Sequence, residues 1–233
     1  MQSLRDGYRA AVIGATGGIG AAIAAALKAD PRCGALAELS RSGDSPVDLL
    51  SEASIAAAAE ALATAHGGLD FIFDATGALT IDGVGPEKSL RAIDPASMAA
   101  SFAVNAIGPA LLIKHFSNLM PREGKSVFAT LSARVGSIGD NRIGGWISYR
   151  SSKAALNQIV RTASREIVRR RPDAICVALH PGTVATDLSA PFAGSRDVFT
   201  PQESAEKLIA VCDGLTPGDA GGFFAYDGSE IEW

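Results

Sequence analysis

The sequence predicts an α/β fold in which a doubly wound parallel sheet carries helices on both faces, within a single domain over residues 1–233. Short apolar runs alternate with longer Ala-rich or amphipathic segments, which is the β–α order of such a sheet. Apolar residues make up 47% of the chain and aromatic residues only 6%, a balance that suits closely packed helices and strands. A glycine-rich turn joins the first apolar run to the first helix.

The predicted strands are short apolar runs bounded by turn residues, and the helices lie between them. The strands cover residues 8–13, 35–39, 69–74, 126–131, 174–179 and 222–226. The helices cover residues 21–29, 51–65, 94–120, 149–170 and 201–212. Ser51 is the expected cap of the second helix, and Gly108-Pro109 is expected to bend the third. Asn105 lies in the third helix among apolar neighbours, where an amide needs hydrogen-bond partners.

Composition and charge exclude several classes of function. The net charge is −4 and no basic run suggests a nucleic-acid partner. The three cysteines are far apart and form no cluster with histidine, so neither a disulfide framework nor a metal site is expected. We see no secretory signal and no run near the ~20 apolar residues that span a bilayer. A cytoplasmic protein that does not enter a membrane is therefore expected.

The glycine-rich turn follows a strand and opens a helix, which is the setting of a dinucleotide-binding turn. There the backbone approaches a pyrophosphate closely, and the helix N-terminus supplies N–H groups and a positive dipole. The alternative is a tight turn that binds nothing. The residues expected to hold the cofactor in this turn are Gly14, Thr16, Gly18, Ile19 and Gly20.

The end of the second strand is where such a fold chooses between NADP and NAD. Ser40 and Arg41 offer a hydroxyl and a guanidinium for a 2′-phosphate, which favours NADP(H). Glu38 keeps NAD(H) open as the alternative, and Arg41 could also be a solvated loop charge. Asp48 could close over the adenine or cap the following helix. Ala75 and Gly77 follow the third strand, at the sheet edge where ligands bind.

Tyr149 and Lys153 stand at positions i and i+4 of the predicted helix 149–170, so they share one face. A nearby ammonium favours the phenolate and should lower the tyrosine pKa from its ordinary value near ~10. The pair would then be a proton donor for neutral pH. The alternative is a surface Tyr and a surface Lys that share a face by chance.

These motifs together resemble the short-chain dehydrogenase/reductase family over nearly the whole chain. The segment 136–157 is most similar to the branch of the developmental C-factor and the sniffer-type carbonyl reductases. The resemblance is carried by Gly14, Gly18, Ile19, Gly20, Asn105, Tyr149, Lys153, Pro181, Gly182 and Thr186.

The resemblance implies a Rossmann-type fold and a role for each matching position. Tyr149 would protonate the carbonyl oxygen of the substrate. Lys153 would lower the tyrosine pKa and bind the nicotinamide ribose. Asn105 would hold a water that relays protons to Lys153. The residues implied to fix the nicotinamide carboxamide are Pro181, Gly182, Val184 and Thr186.

Two positions depart from the family pattern. Residues 74–77 replace the usual Asn-Asn-Ala-Gly, with a modest effect expected on the adenine side. Ala133 stands where the family usually has its catalytic serine, three residues before Gly136. Ser132 is one residue early and should face the other way if the strand persists. Either Ser132 reaches the substrate oxygen, or Ser137 replaces it, or the site lacks this hydroxyl.

Two functions follow from these residues. The first is an NADP(H)-dependent oxidoreductase that exchanges hydride with a small carbonyl or alcohol substrate. The second is a catalytically weak or inactive NADP-binding sensor or signalling protein on the same fold, suggested by Ala133.

Three further features belong to the surroundings of the site. Residues 187–200 are expected to form the substrate loop. His180 ends a strand beside the site, and we favour structural packing over catalysis for it. A homodimer or homotetramer through the two long helices is implied by the resemblance.

Overall fold

The computed structural model describes residues 1–42, 46–186 and 198–233. Within these residues six strands form one sheet in the order β2-β1-β3-β4-β5-β6, and every neighbouring pair is parallel. The strands are β1 Tyr8–Ile13, β2 Cys33–Leu39, β3 Phe71–Asp74, β4 Ser126–Leu131, β5 Ala174–His180 and β6 Phe223–Ala225. The chain runs outward from β1 to β2 and then returns to β3 on the other side. This reversal is the switch point at which ligands bind in doubly wound sheets.

Helices cover both faces of the sheet, as the sequence predicts. On one face α1 packs against α6, and on the other α2 packs against α4, which packs against α5. Each face has its own cluster of buried apolar side chains. The helices are α1 Gly18–Ala29, α2 Glu52–His66, α3 Pro95–Phe102, α4 Gly108–Phe116, α5 Ile147–Ile167 and α6 Pro201–Gly214.

Local chemistry explains the helix ends. Ser51 accepts a hydrogen bond from the Ser54 N–H at 3.3 Å and caps α2, as predicted. Thr200 and Glu203 form a reciprocal capping box at the start of α6. The first helix begins at Gly18, earlier than the predicted residue 21, because Gly17 is already its extended N-cap.

The predicted helix 94–120 is interrupted before the expected bend at Gly108-Pro109. A π-turn spans Ala103–Ile107 between α3 and α4, and the Gly108 N–H bonds back to the Ala103 carbonyl. Pro109 has no N–H, so it cannot bond the Asn105 carbonyl as an ordinary helix would. Pro109 therefore contributes to the π-turn, which lies just before it in the chain. Such π-turns often occur at functional sites.

One helical stretch within the described ranges, Pro95–Leu119, has the length and composition to cross a membrane. It has 25 residues and a mean hydropathy of 1.6, so the expectation that no segment reaches this length is wrong. Of its most apolar window, 39% is buried inside the fold, where α3 and α4 pack against α5. The core helix of a soluble protein passes the same test. The cytoplasmic location stays a prediction.

Candidate active site

The glycine-rich turn lies at the switch point of the sheet, and its shape requires glycine. Gly14 has φ +82°, and the Gly17 N–H bonds its carbonyl at 3.0 Å. A Cβ on Gly20 would collide with that carbonyl oxygen, and a Cβ on Gly18 would lie 2.6 Å from Thr186 Cγ2. Gly17, at the N-cap, has no side chain that could cap the first N–H groups of α1. Close backbone approach and an uncapped helix start fit a dinucleotide pyrophosphate.

The end of β2 presents the residues predicted to choose the cofactor. Ser40 is buried and its carbonyl accepts from the Val47 N–H at 2.9 Å, whereas Glu38 and Arg41 are exposed. Arg41 pairs with no carboxylate among the described residues. Asp48 is exposed and accepts from the Leu50 N–H at 2.9 Å, so Ser51 rather than Asp48 is the helix cap. The adenine contact of Asp48 stays a prediction.

Asp74 ends β3 as a fully buried carboxyl group. It accepts hydrogen bonds from Thr130 Oγ1 at 2.6 Å and Thr76 Oγ1 at 2.5 Å. Burial raises its pKa, against the opposing effect of these hydrogen bonds and of Lys153. Asp74 thus joins β3 to β4, and the Ala75 N–H bonds the Ile13 carbonyl at 2.9 Å. Although residues 74–77 depart from the family's Asn-Asn-Ala-Gly pattern, Asp74 still makes a polar link between β3 and β4.

Gly77, Asn105 and Lys153 converge at the end of β3. A Cβ on Gly77, which has φ +144°, would lie 3.2 Å from both Asn105 Oδ1 and Lys153 Nζ. The Asn105 side chain accepts from the Ala78 N–H at 2.9 Å and donates to the Ala78 carbonyl at 2.8 Å. Asn105 is fully buried, and these two hydrogen bonds give its amide the partners that the sequence analysis said it needs. Its water-holding role stays a prediction.

Tyr149 and Lys153 lie on one face of α5, as their spacing predicts. Lys153 Nζ is 6.0 Å from the centre of the Tyr149 ring and donates to the Leu131 carbonyl at 2.8 Å. Burial lowers the pKa of Lys153 to about 8, although Asp74 opposes this shift. Burial raises the pKa of Tyr149 to about 12. The expected lowering of the tyrosine pKa is therefore wrong for this structure, because desolvation disfavours the phenolate.

Glu87 holds the start of α5 in place, although no sequence motif pointed to it. Trp146 precedes the helix with φ 53° and its N–H bonds the Glu87 carbonyl at 2.6 Å. The Ser148 hydroxyl bonds one carboxylate oxygen of Glu87, and the Ser148 N–H bonds the other at 3.2 Å. Glu87 lies 61 residues before Ser148, so no short spacing could have revealed this cap.

Ser132 and Ser137 both form hydrogen bonds within the protein. Ser132 points towards α5, where its hydroxyl donates to Asn157 Oδ1 at 2.6 Å. The Ser137 hydroxyl accepts from the Asp140 N–H at 3.0 Å and lies outside the cavity lining. Ala133 lines the cavity without a hydroxyl. Ser132 therefore donates to a protein partner and Ser137 accepts from one, and the role of either hydroxyl towards a substrate stays a prediction.

The segment after β5 completes the cofactor side of the site. Gly182 has φ +80°, and a Cβ there would lie 2.8 Å from the Phe199 ring. The Pro181 carbonyl accepts from Ser204 Oγ at 3.0 Å, and Val184 pairs with Phe199 in a parallel bridge. Thr186 is the last residue described before the gap. Of the predicted substrate loop 187–200, residues 187–197 lie outside the described residues.

A cavity of about 360 Å³ joins these parts. The glycine-rich turn, the end of β4, the start of α5 and the end of β5 all reach it. No group of acidic, cysteine or histidine side chains suited to a metal occurs within the described ranges. Among the residues lining the cavity are Ile19, Ser132, Ala133, Tyr149, His180, Pro181, Gly182, Val184 and Thr186.

This arrangement agrees with the comparison with known protein families. A family model described as enoyl-(acyl carrier protein) reductase matches residues 14–229. The chain belongs to the short-chain dehydrogenase/reductase family. The family resemblance drawn from the sequence is therefore confirmed. Members of this family of oxidoreductases use nicotinamide cofactors.

Two relatives show which members of the family this chain is similar to. A 1-hydroxy-2-glutathionyl-2-methyl-3-butene dehydrogenase of Rhodococcus sp. is 36% identical over 188 residues, covering 80% of this chain and 78% of that protein. The C-signal of Myxococcus xanthus is 38% identical over 149 residues, covering 62% of this chain and 84% of that protein.

Solved structures agree on the fold. The NADPH-bound carbonyl reductase from chicken fatty liver superposes with a TM-score of 0.82 at 25% identity, covering 99% of this chain and 100% of that one. The carbonyl reductase Sniffer of D. melanogaster gives the same TM-score at 22% identity, covering 97% of this chain and 99% of that one.

Proposed function

We propose that the protein is an NADPH-dependent reductase of small carbonyl compounds, working in reverse on the corresponding alcohols. The observation that carries the proposal is that Tyr149 and Ile19, which belongs to the glycine-rich turn, line the same cavity. A reacting oxygen beside Tyr149 would thus lie close to a cofactor held by the turn. The exposed Arg41 at the end of β2 supports NADPH over NADH, and the chicken carbonyl reductase is an NADPH complex.

A bound nicotinamide supplies the hydride, and the protein supplies orientation and the proton. Tyr149 has a pKa near 12, so it keeps its proton at neutral pH and can donate it to the carbonyl oxygen. Lys153 sits beneath it as a buried cation that would bind the ribose and favour the phenolate as the proton leaves. Asn105 fixes the Ala78 backbone beside Lys153.

The cavity lining supports a substrate with an apolar body. Leu79, Val135, Ile143 and Val184 line it, and Trp146 stands edge-on to Tyr149 at 6.3 Å between ring centres. Such walls exclude water from the reacting oxygen and strengthen the hydrogen bond from the phenol. Arg142 and Arg134, which pairs with the lining residue Asp140 at 3.4 Å, lie in the same lining, and Arg142 would tolerate an anionic group on the substrate. The Rhodococcus relative is named for a glutathionyl alcohol, a molecule of that kind.

The decisive experiment replaces Tyr149 with Phe. We expect NADPH oxidation with a panel of aldehydes, ketones and quinones, and a loss of ~10²–10⁴-fold in kcat for Tyr149→Phe, because the proton donor is removed. NADPH affinity, measured by fluorescence titration, should change little. Tyr226→Phe is the matched control, since Tyr226 lies outside the cavity lining. Turnover that survives Tyr149→Phe would contradict the proposal.

The second candidate is an NADP-binding sensor without turnover. Ala133 in the cavity and the similarity to the C-signal protein favour it. It predicts that the wild-type protein binds NADPH and leaves every carbonyl of the panel unreduced. Measurable wild-type turnover that depends on Tyr149 would rule it out.

We also propose that the protein is a homodimer or homotetramer. A groove between α4 and α5 is lined by the apolar Ala110, Ile113, Ile159 and Ala163 and by polar and charged residues that include Lys114, Glu166 and Arg170. Most of the apolar window of Pro95–Leu119 is not buried in the single chain. A second copy that packs its own α4 and α5 here would cover this surface.

A further inference from the structure

Position 133 of the substrate cavity carries no hydroxyl, and the hydroxyl of the neighbouring lining residue Ser132 is directed at Asn157. Ala133 contributes only a methyl group to the lining. Ser132 is the nearest hydroxyl along the chain, and its proton is donated to Asn157 Oδ1. A ketone held by Tyr149 alone would lose a second hydrogen bond at the oxygen that becomes negative. Removing one such donor costs ~10²–10³-fold in rate in enzymes that rely on it.

His180 brings a polar ring into the same cavity. It is the last residue of β5, lines the cavity with Ala133 and Tyr149, and precedes the Pro181-Gly182 turn. Its Nδ1 is buried and has no hydrogen-bond partner among the described residues, so Nε2 is the nitrogen that a substrate in the cavity can reach. A neutral imidazole has one N–H donor and one acceptor nitrogen. Buried polar atoms without partners are rare and call for an explanation.

The surroundings keep this ring neutral. Burial lowers the pKa of His180 to about 4, Arg134 lowers it further and Asp227 acts in the opposite direction. The Tyr226 ring lies 6.4 Å away, centre to centre, and is not part of the cavity lining. At neutral pH the group is an uncharged donor, which can polarise a carbonyl without giving up its proton.

We propose that the His180 imidazole donates a hydrogen bond to the substrate oxygen and replaces the serine hydroxyl that Ala133 lacks. This inference rests on the proposed reductase function and assigns a catalytic role to His180, for which packing was favoured from the sequence. The proton that forms the new O–H bond still comes from Tyr149. His180 keeps its own proton and stabilises the negative charge that develops on the oxygen.

The test compares two substitutions at this position, measured with saturating NADPH and the best ketone of the panel. His180→Phe keeps a flat ring and removes both nitrogens, so we expect kcat to fall ~10²–10³-fold. His180→Asn keeps an N–H donor, so we expect it to retain clearly more turnover than the Phe variant. NADPH affinity should be the same in all three proteins, which separates this role from damage to the cofactor site.

A rescue experiment addresses the missing hydroxyl directly. Ala133→Ser in the His180→Phe background should recover at least ~10-fold in kcat, because it restores a donor to the same oxygen. Wild-type kcat in His180→Phe overturns the inference. Equal losses in the Phe and Asn variants without rescue by Ala133→Ser also overturn it, because packing alone would then explain them. A wild-type protein that binds NADPH and reduces nothing refutes the reductase function, and this inference with it.

Discussion

At the scale of single residues, burial decides the chemistry of the site. Lys153 is buried and Tyr149 is half-buried, and desolvation raises the pKa of Tyr149 to about 12 and lowers the pKa of Lys153 to about 8. The spacing of the pair revealed their common face, but the desolvation comes from the strands and loops packed around them. Sequence spacing therefore found the partners and gave the wrong direction for the tyrosine pKa.

Arg41 is the residue on which cofactor choice depends. We expect Arg41→Ala to weaken NADPH binding about 10- to 100-fold, since hydrogen bonds to a charged group contribute ~1.5–3 kcal/mol. NADH binding should stay the same, because NADH lacks the 2′-phosphate. Fluorescence titration with both coenzymes measures this. Arg91→Ala, at another exposed arginine, is the control, and equal losses for NADPH and NADH would refute the phosphate contact.

At the scale of the element, α5 depends on a cap from outside its own sequence. Its N-terminal flank is a left-handed Trp146 without a side-chain cap, and Glu87 supplies the missing acceptors. Burial acts to raise the pKa of Glu87, but hydrogen bonds from Ser148 outweigh it and the pKa is lowered. The carboxylate form is thus the one that holds the start of α5.

Replacing Glu87 should loosen the helix that carries Tyr149. Glu87→Ala should lower the free energy of unfolding by about 0.5–2 kcal/mol, the range for losing a helix cap. Because the folded pKa is lowered, the stabilisation is present above the unfolded value near ~4.3 and is lost as pH falls through the folded pKa. Denaturant unfolding at several pH values tests both points. Glu60→Ala, on the exposed face of α2, should show neither effect.

At the scale of the whole molecule, the parallel sheet gathers groups from distant parts of the chain. The carboxyl ends of β1, β3, β4 and β5 meet at one edge, where the glycine-rich turn, Tyr149 and His180 line one cavity. The same packing leaves the groove between α4 and α5 uncovered in a single chain.

The oligomer prediction belongs to this scale. Ala163→Glu places a charge in the groove, so we expect it to reduce the particle mass to that of one chain in light scattering. Ala57→Glu on the exposed face of α2 should leave the oligomer intact. A wild-type protein that is already monomeric at high concentration would contradict the prediction.

The sequence by itself determined the β–α order, the glycine-rich turn and the face shared by Tyr149 and Lys153, because these depend on local patterns of neighbouring residues. Only the tertiary structure decided the direction of the pKa shifts, the cap from Glu87, the hydrogen bond from Ser132 to Asn157 and the burial of His180 Nδ1 without a partner among the described residues. These depend on which distant groups pack together and exclude water. The spacing of neighbouring residues does not predict these contacts, because the packing of the whole sheet determines which groups are buried and which partners they meet.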